Sequence, residues 1–69
     1  MKYLVVIEKS ASGYSAYSPD IDGCVATGRS REEVERNMSE AIEFHLDGLR
    51  QERVAIPQPH SQSLYLQVA

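Results

Sequence analysis

From Arg31 to Arg53 no proline interrupts the chain, and Val34, Met38, Ala41, Ile42, His45, Leu46 and Leu49 recur at spacings of three and four. That period lays them along one side of a helix as a continuous stripe. Ser30, with Glu33 three residues on, forms a capping box. Glu32 and Glu33 suit the positive end of the helix dipole, and Arg50 and Arg53 suit the negative end. Pro57 lacks an N–H and pushes Ile56 towards extended geometry, so the helix ends before it. No second stretch of this kind exists, so the rest of the chain has one helix to cover it.

The remaining elements read as strands. Lys2 to Glu8, built on Tyr-Leu-Val-Val-Ile, is rich in β-branched and aromatic residues. Lys9 to Gly13 is a turn with Gly13 suited to a positive φ, and Tyr14 to Ser18 completes a hairpin. Pro19-Asp-Ile-Asp-Gly23 is a loop, Cys24 to Thr27 a short third strand, and Gly28 ends it. Ser63 to Val68 alternates Leu64, Leu66 and Val68 against Tyr65 and Gln67, the pattern of a fourth strand. The expected fold is α+β in the order β-β-β-α-β, one helix on a small mixed or antiparallel sheet, with residues 1–69 as a single domain.

One helix covers only one face of such a sheet. The first strand nevertheless carries Tyr3, Val5 and Ile7 on one face and Leu4 and Val6 on the other, while Tyr65 opposes Leu64 and Leu66. For a 7.7 kDa chain, folding removes roughly 6,700 Å² from water. If about 60% is apolar, burial contributes about 100 kcal/mol. Ordering the 69 residues at ~1.5 kcal/mol each costs about the same. A lone monomer therefore balances near zero. The single cysteine, Cys24, excludes an internal disulfide. Self-association as a homodimer or larger homo-oligomer is expected, with Leu4, Val6 and Tyr65 at the interface.

Other classes are excluded by simple counts. The longest apolar run is Tyr3 to Ile7, far short of the ~20 residues a membrane span needs. The start has no secretory pattern, so a cytoplasmic chain with Cys24 reduced is expected. A net charge of −3 speaks against phosphate neutralisation, so no direct nucleic-acid binding is expected, and a basic partner fits better.

Catalytic chemistry finds no footing. Two-metal hydrolysis needs several converging carboxylates, and the strands offer only Glu8. Asp20 and Asp22 lie beside Pro and Gly, where such residues form turns. Nothing local activates Cys24, which reads as a small buried side chain. His45 belongs to the apolar stripe as a hydrogen-bonded boundary residue, and His60 follows two prolines, so neither a nucleophile pair nor a zinc site is expected. Asn37 is placed to hydrogen-bond a neighbouring loop. No enzyme activity, metal or cofactor is expected.

Charge placement is more informative. Between Ser30 and Arg53, seven acids face four arginines; the rest of the chain is balanced, so the whole net charge of −3 sits on the helix segment. Glu32 and Arg36 have the spacing of a favourable pair, whereas Glu43 and Asp47 repel. A solvated helix face explains such a pattern; the functional alternative is that Glu40, Glu43 and Asp47, with Asp20 and Asp22, steer a basic partner.

Spaced elements run through nearly the whole chain, from Lys2 to Val68. Tyr14-x-Ala16-x-x-Pro19-Asp20-x-x-Gly23-Cys24 is followed by Gly28-x-Ser30-x-Glu32-Glu33, by Asn37-x-x-Glu40-Ala41-Ile42 and Leu46, and by Ile56-Pro57-x-Pro59. The ordered set resembles the HicB-like antitoxin family. The resemblance implies a partial ribonuclease H-like fold and a non-catalytic protein that neutralises a small, basic ribonuclease toxin with a double-stranded-RNA-binding-like fold. Asp22 departs from the family, where a proline is common before the Gly-Cys pair. Fuller members append a ribbon-helix-helix or helix-turn-helix module; this sequence ends at Ala69, so operator binding is not expected of it. The alternative is a stand-alone oligomeric interaction or scaffold domain with no toxin partner.

Overall fold

The computed structural model describes residues 1–69. Three strands, β1 (Val6–Ser10), β2 (Gly13–Tyr17) and β3 (Val25–Gly28), precede one helix, α1 (Arg31–Gln51). The strands form an antiparallel sheet in the order β1-β2-β3. The α+β class stands, and the sheet is antiparallel rather than mixed.

Register divides the sheet into two faces. Ile7, Ala16 and Ala26 align across the strands towards the helix. Val6, Tyr17 and Val25 align in the next row on the opposite, uncovered face. The core forms where Ala16, Cys24, Val34 and Met38 meet, joined by Ile21 from the loop between β2 and β3. Ile21 is only 1% exposed. Its N–H bonds the Ser18 carbonyl at 3.2 Å, and its own carbonyl accepts from Cys24 N–H at 3.4 Å. A segment whose Pro, Asp and Gly read only as a turn thus also delivers a core side chain. Each fully buried aliphatic such as Val34 contributes ~1.5–3 kcal/mol.

The helix begins as its sequence requires. Ser30 Oγ accepts from Glu33 N–H at 3.1 Å. The Glu33 carboxylate reaches back to Arg29 N–H at 3.2 Å, one residue before the usual capping-box partner. At the other end the Arg53 N–H bonds the Arg50 carbonyl and the Val54 N–H bonds the Leu49 carbonyl. That pair of bonds is a Schellman motif. It places Arg53 in the left-handed region at φ 58°. Gly28 lets the helix start lie directly on the end of β3: a Cβ there would stand 2.5 Å from the Val34 nitrogen.

The fourth strand does not form. Ser63 to Val68 carries the right alternation, but a strand exists only with a hydrogen-bonded neighbour, and this segment joins no ladder. Leu64, Tyr65, Leu66 and Val68 are all exposed. The tail is reflected in a radius of gyration of 13.6 Å, against about 11 Å for a compact chain of this length. No helix is long and apolar enough to cross a membrane.

Candidate partner-binding surface

The helix segment concentrates the acidic charge, and its neighbours decide which carboxylates remain available. Arg31 Nε bonds Glu35 at 3.1 Å and Arg50 bonds Asp47 at 2.9 Å, both in the open. The helix therefore pairs Arg31 with Glu35 where the spacing alone pointed to Glu32 and Arg36. Asp47 is partly neutralised by Arg50, so the repulsion expected between Glu43 and Asp47 is relieved. Glu40 and Glu43 are exposed and enter no ion pair.

Phe44 stands among these acids and is 70% exposed. It forms one wall of a groove of about 470 Å³ between the C-terminal half of α1 and the residues entering β3. Val25 and Leu49 continue the apolar lining, with His45 half-buried in the wall and Glu52 at one end. Helical geometry puts Glu40 and Asp47 one turn either side of Phe44. An exposed aromatic next to a groove and ringed by carboxylates is the composition of an interface anchor. Phe44 falls off the three-and-four spacing of the apolar stripe, so the stripe does not include it. The available signal was that same misfit: a large aromatic on a face otherwise given to Glu and Asp.

The two loop aspartates part company. Asp22 is exposed, next to Gly23 at the lip of the groove. Asp20 is buried and belongs to a different task. Its Oδ1 accepts from the Ser61 hydroxyl at 2.6 Å, and its Oδ2 accepts from the N–H groups of His60 and Ser61, both at 3.1 Å. The His60 ring nitrogen lies 3.1 Å from Oδ1. The Ser61 hydroxyl bond, outweighing the opposing effect of burial, holds the Asp20 carboxyl below its ordinary value, with the backbone donors and His60 adding to the pull. Asp20 is thus withdrawn from the set of surface acids open to a basic partner; it fastens the C-terminal tail to the β2–β3 loop.

The other expected residues take ordinary places. Burial pushes the Cys24 thiol up, which leaves it a poor nucleophile. Asn37 donates to the Thr27 carbonyl at 2.8 Å, so its partner is β3 rather than a loop. No three His, Cys, Asp or Glu side chains group closely enough to hold a metal ion. Leu4 and Val6 are half-buried, and Tyr65 is fully exposed.

Comparison with known proteins bears on what this surface serves. The chain is 48% identical over 50 residues to a UPF0150 protein of Helicobacter pylori, covering 72% of this chain and 69% of that one. It is 31% identical to a UPF0150 protein of Thermoplasma acidophilum, over 93% of this chain and 94% of that one. An uncharacterised 14.9 kDa protein of Haemophilus phage HP1 is 33% identical over 96% of this chain, which spans 50% of the phage protein. Among solved structures, a chain of a HicA3 and HicB3 toxin-antitoxin complex superposes with a TM-score of 0.74 at 33% identity, over 87% of this chain and 70% of that one. The crystal structure of antitoxin HicB3 gives a TM-score of 0.73 at 33% identity, over 87% of this chain and 44% of that one. The description "HicB-like antitoxin of bacterial toxin-antitoxin system" matches residues 3–68. With that match and the shared sheet-then-helix architecture, the chain belongs to the HicB-like antitoxin family.

Proposed function

We propose that this chain binds a small basic ribonuclease toxin and neutralises it by occlusion, with no catalysis of its own. The observation that carries the reading is the placement of unpaired Glu40 and Glu43 beside exposed Phe44 at the mouth of an apolar groove. Asp22 at the groove lip and Asp47 beside Phe44 complete the acidic rim. Phe44 and Val25 anchor the partner, and the carboxylates raise its rate of encounter and select for positive charge. A related solved structure is a HicA3 and HicB3 toxin-antitoxin complex, which supports a toxin as the partner class. The site of action is the cytoplasm, where such a toxin meets RNA.

The test looks for a small basic protein encoded by the neighbouring gene, co-expresses it with this chain for growth rescue and then studies the two as purified proteins. Reversing Glu40, Glu43 and Asp47 to lysine slows association, more at low salt than at high. Unchanged association kinetics in that triple variant sinks the assignment of this face. Failure of the wild-type chain to bind that protein or rescue growth favours the alternative, a stand-alone oligomeric interaction domain.

A further inference from the structure

The segment Leu4–Ile7, which leads into β1, has the side-chain pattern of an interior strand, whereas β1 itself lies at the edge of the sheet and turns polar from Glu8 onwards. Leu4 and Val6 on one face and Val5 and Ile7 on the other are all apolar, yet only β2 pairs with β1. The helix lies mainly across β3 and β2, and Val5 and Ile7 pack only at the margin of the core it covers. A groove of about 360 Å³ separates Val5 and Ile7 from Met38 and Ile42. A second groove, about 350 Å³, runs along Leu4 to Ile7 beside Ser63, Leu64 and Tyr65. The outer side of β1 therefore presents unpaired backbone groups next to apolar surface, a template for one more strand.

The same chain carries a strand with no place. Leu64, Leu66 and Val68 are 72%, 79% and 82% exposed, and the tail makes no backbone–backbone hydrogen bond. Asp20 pins His60 and Ser61, so the tail leaves the body at a fixed point. It passes Leu4 and is wholly in solvent by Tyr65, at 104% exposure.

We propose that two copies of this chain exchange tails: Ser63–Val68 of each adds as a strand to the free edge of β1 in the other, closing a two-fold dimer. Area supports a second copy as the occupant. The chain exposes 5683 Å², about 1,400 Å² more than the roughly 4,300 Å² of a compact protein of its mass. Two copies burying that excess remove about 2,800 Å², within the range of permanent homodimers. Charge supports it as well. The sequence outside Ser30–Arg53 carries no net charge and Ser63–Val68 carries no charged side chain, whereas the helix segment carries −3, so the exchanged strand adds no charge to the interface. The acidic groove stays outside this interface.

Sedimentation equilibrium on the isolated full chain, with no toxin present, tests this independently of the antitoxin reading. The wild type gives twice the 7.7 kDa chain mass. Truncation after Gln62 and, separately, Leu66→Pro give the monomer, with dimer affinity falling at least ~100-fold as the strand's backbone pairing is lost. Leu66 lies in the open, so Leu66→Pro keeps the far-ultraviolet circular dichroism of the body and separates lost pairing from lost folding. Hydrogen exchange then finds the outward amides of β1 protected in the wild type and open in Leu66→Pro. A wild-type monomer at ~100 μM, a truncated chain that stays dimeric, or β1 amides protected in a monomer by its own tail each overturns the exchange.

Discussion

Asp20 and Ser61, forty-one positions apart, are joined twice: the Ser61 hydroxyl reaches Oδ1 at 2.6 Å and the Ser61 N–H reaches Oδ2 at 3.1 Å. Both bonds need an acceptor, and only the ionised carboxylate offers acceptors on both oxygens. Asp20→Asn turns one oxygen into a donor facing N–H and O–H groups. The tail then detaches: His60 and Ser61 amides exchange faster and the tail is clipped sooner by protease, while amides of β2 and α1 keep their protection.

Acid does the same to the wild type. The folded Asp20 carboxyl titrates below its ordinary value of 3.8, because folding favours the charged form. Stability from that group is therefore fully present above 3.8 and is lost as pH falls through the lower folded value. A pH titration followed by amide exchange at Ser61 shows release of the tail beginning below 3.8 in the wild type. In Asp20→Asn the tail is already free at neutral pH.

Gly28→Ala is the sharpest local test of the fold. The added Cβ would lie 2.5 Å from the Val34 nitrogen and 2.8 Å from its Cα, all backbone at the first turn of α1. Backbone cannot rotate away, so the helix start must lift from β3. The expected loss is about 1–3 kcal/mol, measured by urea unfolding. Gly48→Ala is the matching control, because a Cβ there meets nothing within 4 Å. That change gains up to ~1 kcal/mol of helix propensity.

Arg53 occupies the position of a Schellman motif usually given to glycine, at φ 58°. A side chain in that region costs roughly 1–2 kcal/mol, part of which glycine returns to the unfolded chain. Arg53→Gly therefore stabilises by about 0.5–1 kcal/mol, read as a higher urea midpoint with an unchanged slope.

Local chemistry made much of this architecture readable from residues. Ser30 and Glu33 placed the helix start, the three-and-four stripe placed its buried side, and the apolar faces of the first strand marked a sheet short of cover. Pairing was not readable. The alternation from Leu64 to Val68 states what a strand would look like, but not whether a neighbour lies within reach. Asp20 and Ile21 show a second limit. Their loop composition described a turn correctly and said nothing of Ser61 or the core, because both contacts depend on segments brought together only by folding. Phe44 shows a third: a stripe finds what the helix buries, whereas a residue left out of the core on the charged face is visible only as an exception.

That exception gives the last prediction. Phe44 is 70% exposed, so Phe44→Ala removes little buried surface and leaves stability within about 0.5 kcal/mol. If the groove beside it receives a basic partner, the same truncation costs at least ~2 kcal/mol of binding, about a 30-fold loss in affinity, chiefly through faster dissociation. Charge reversal at Glu40 and Glu43 acts on the other rate: it slows association and loses its effect as salt rises. Surface plasmon resonance across a salt series separates the two. A Phe44→Ala variant that binds as tightly as wild type removes the groove from the interface, whatever the carboxylates do.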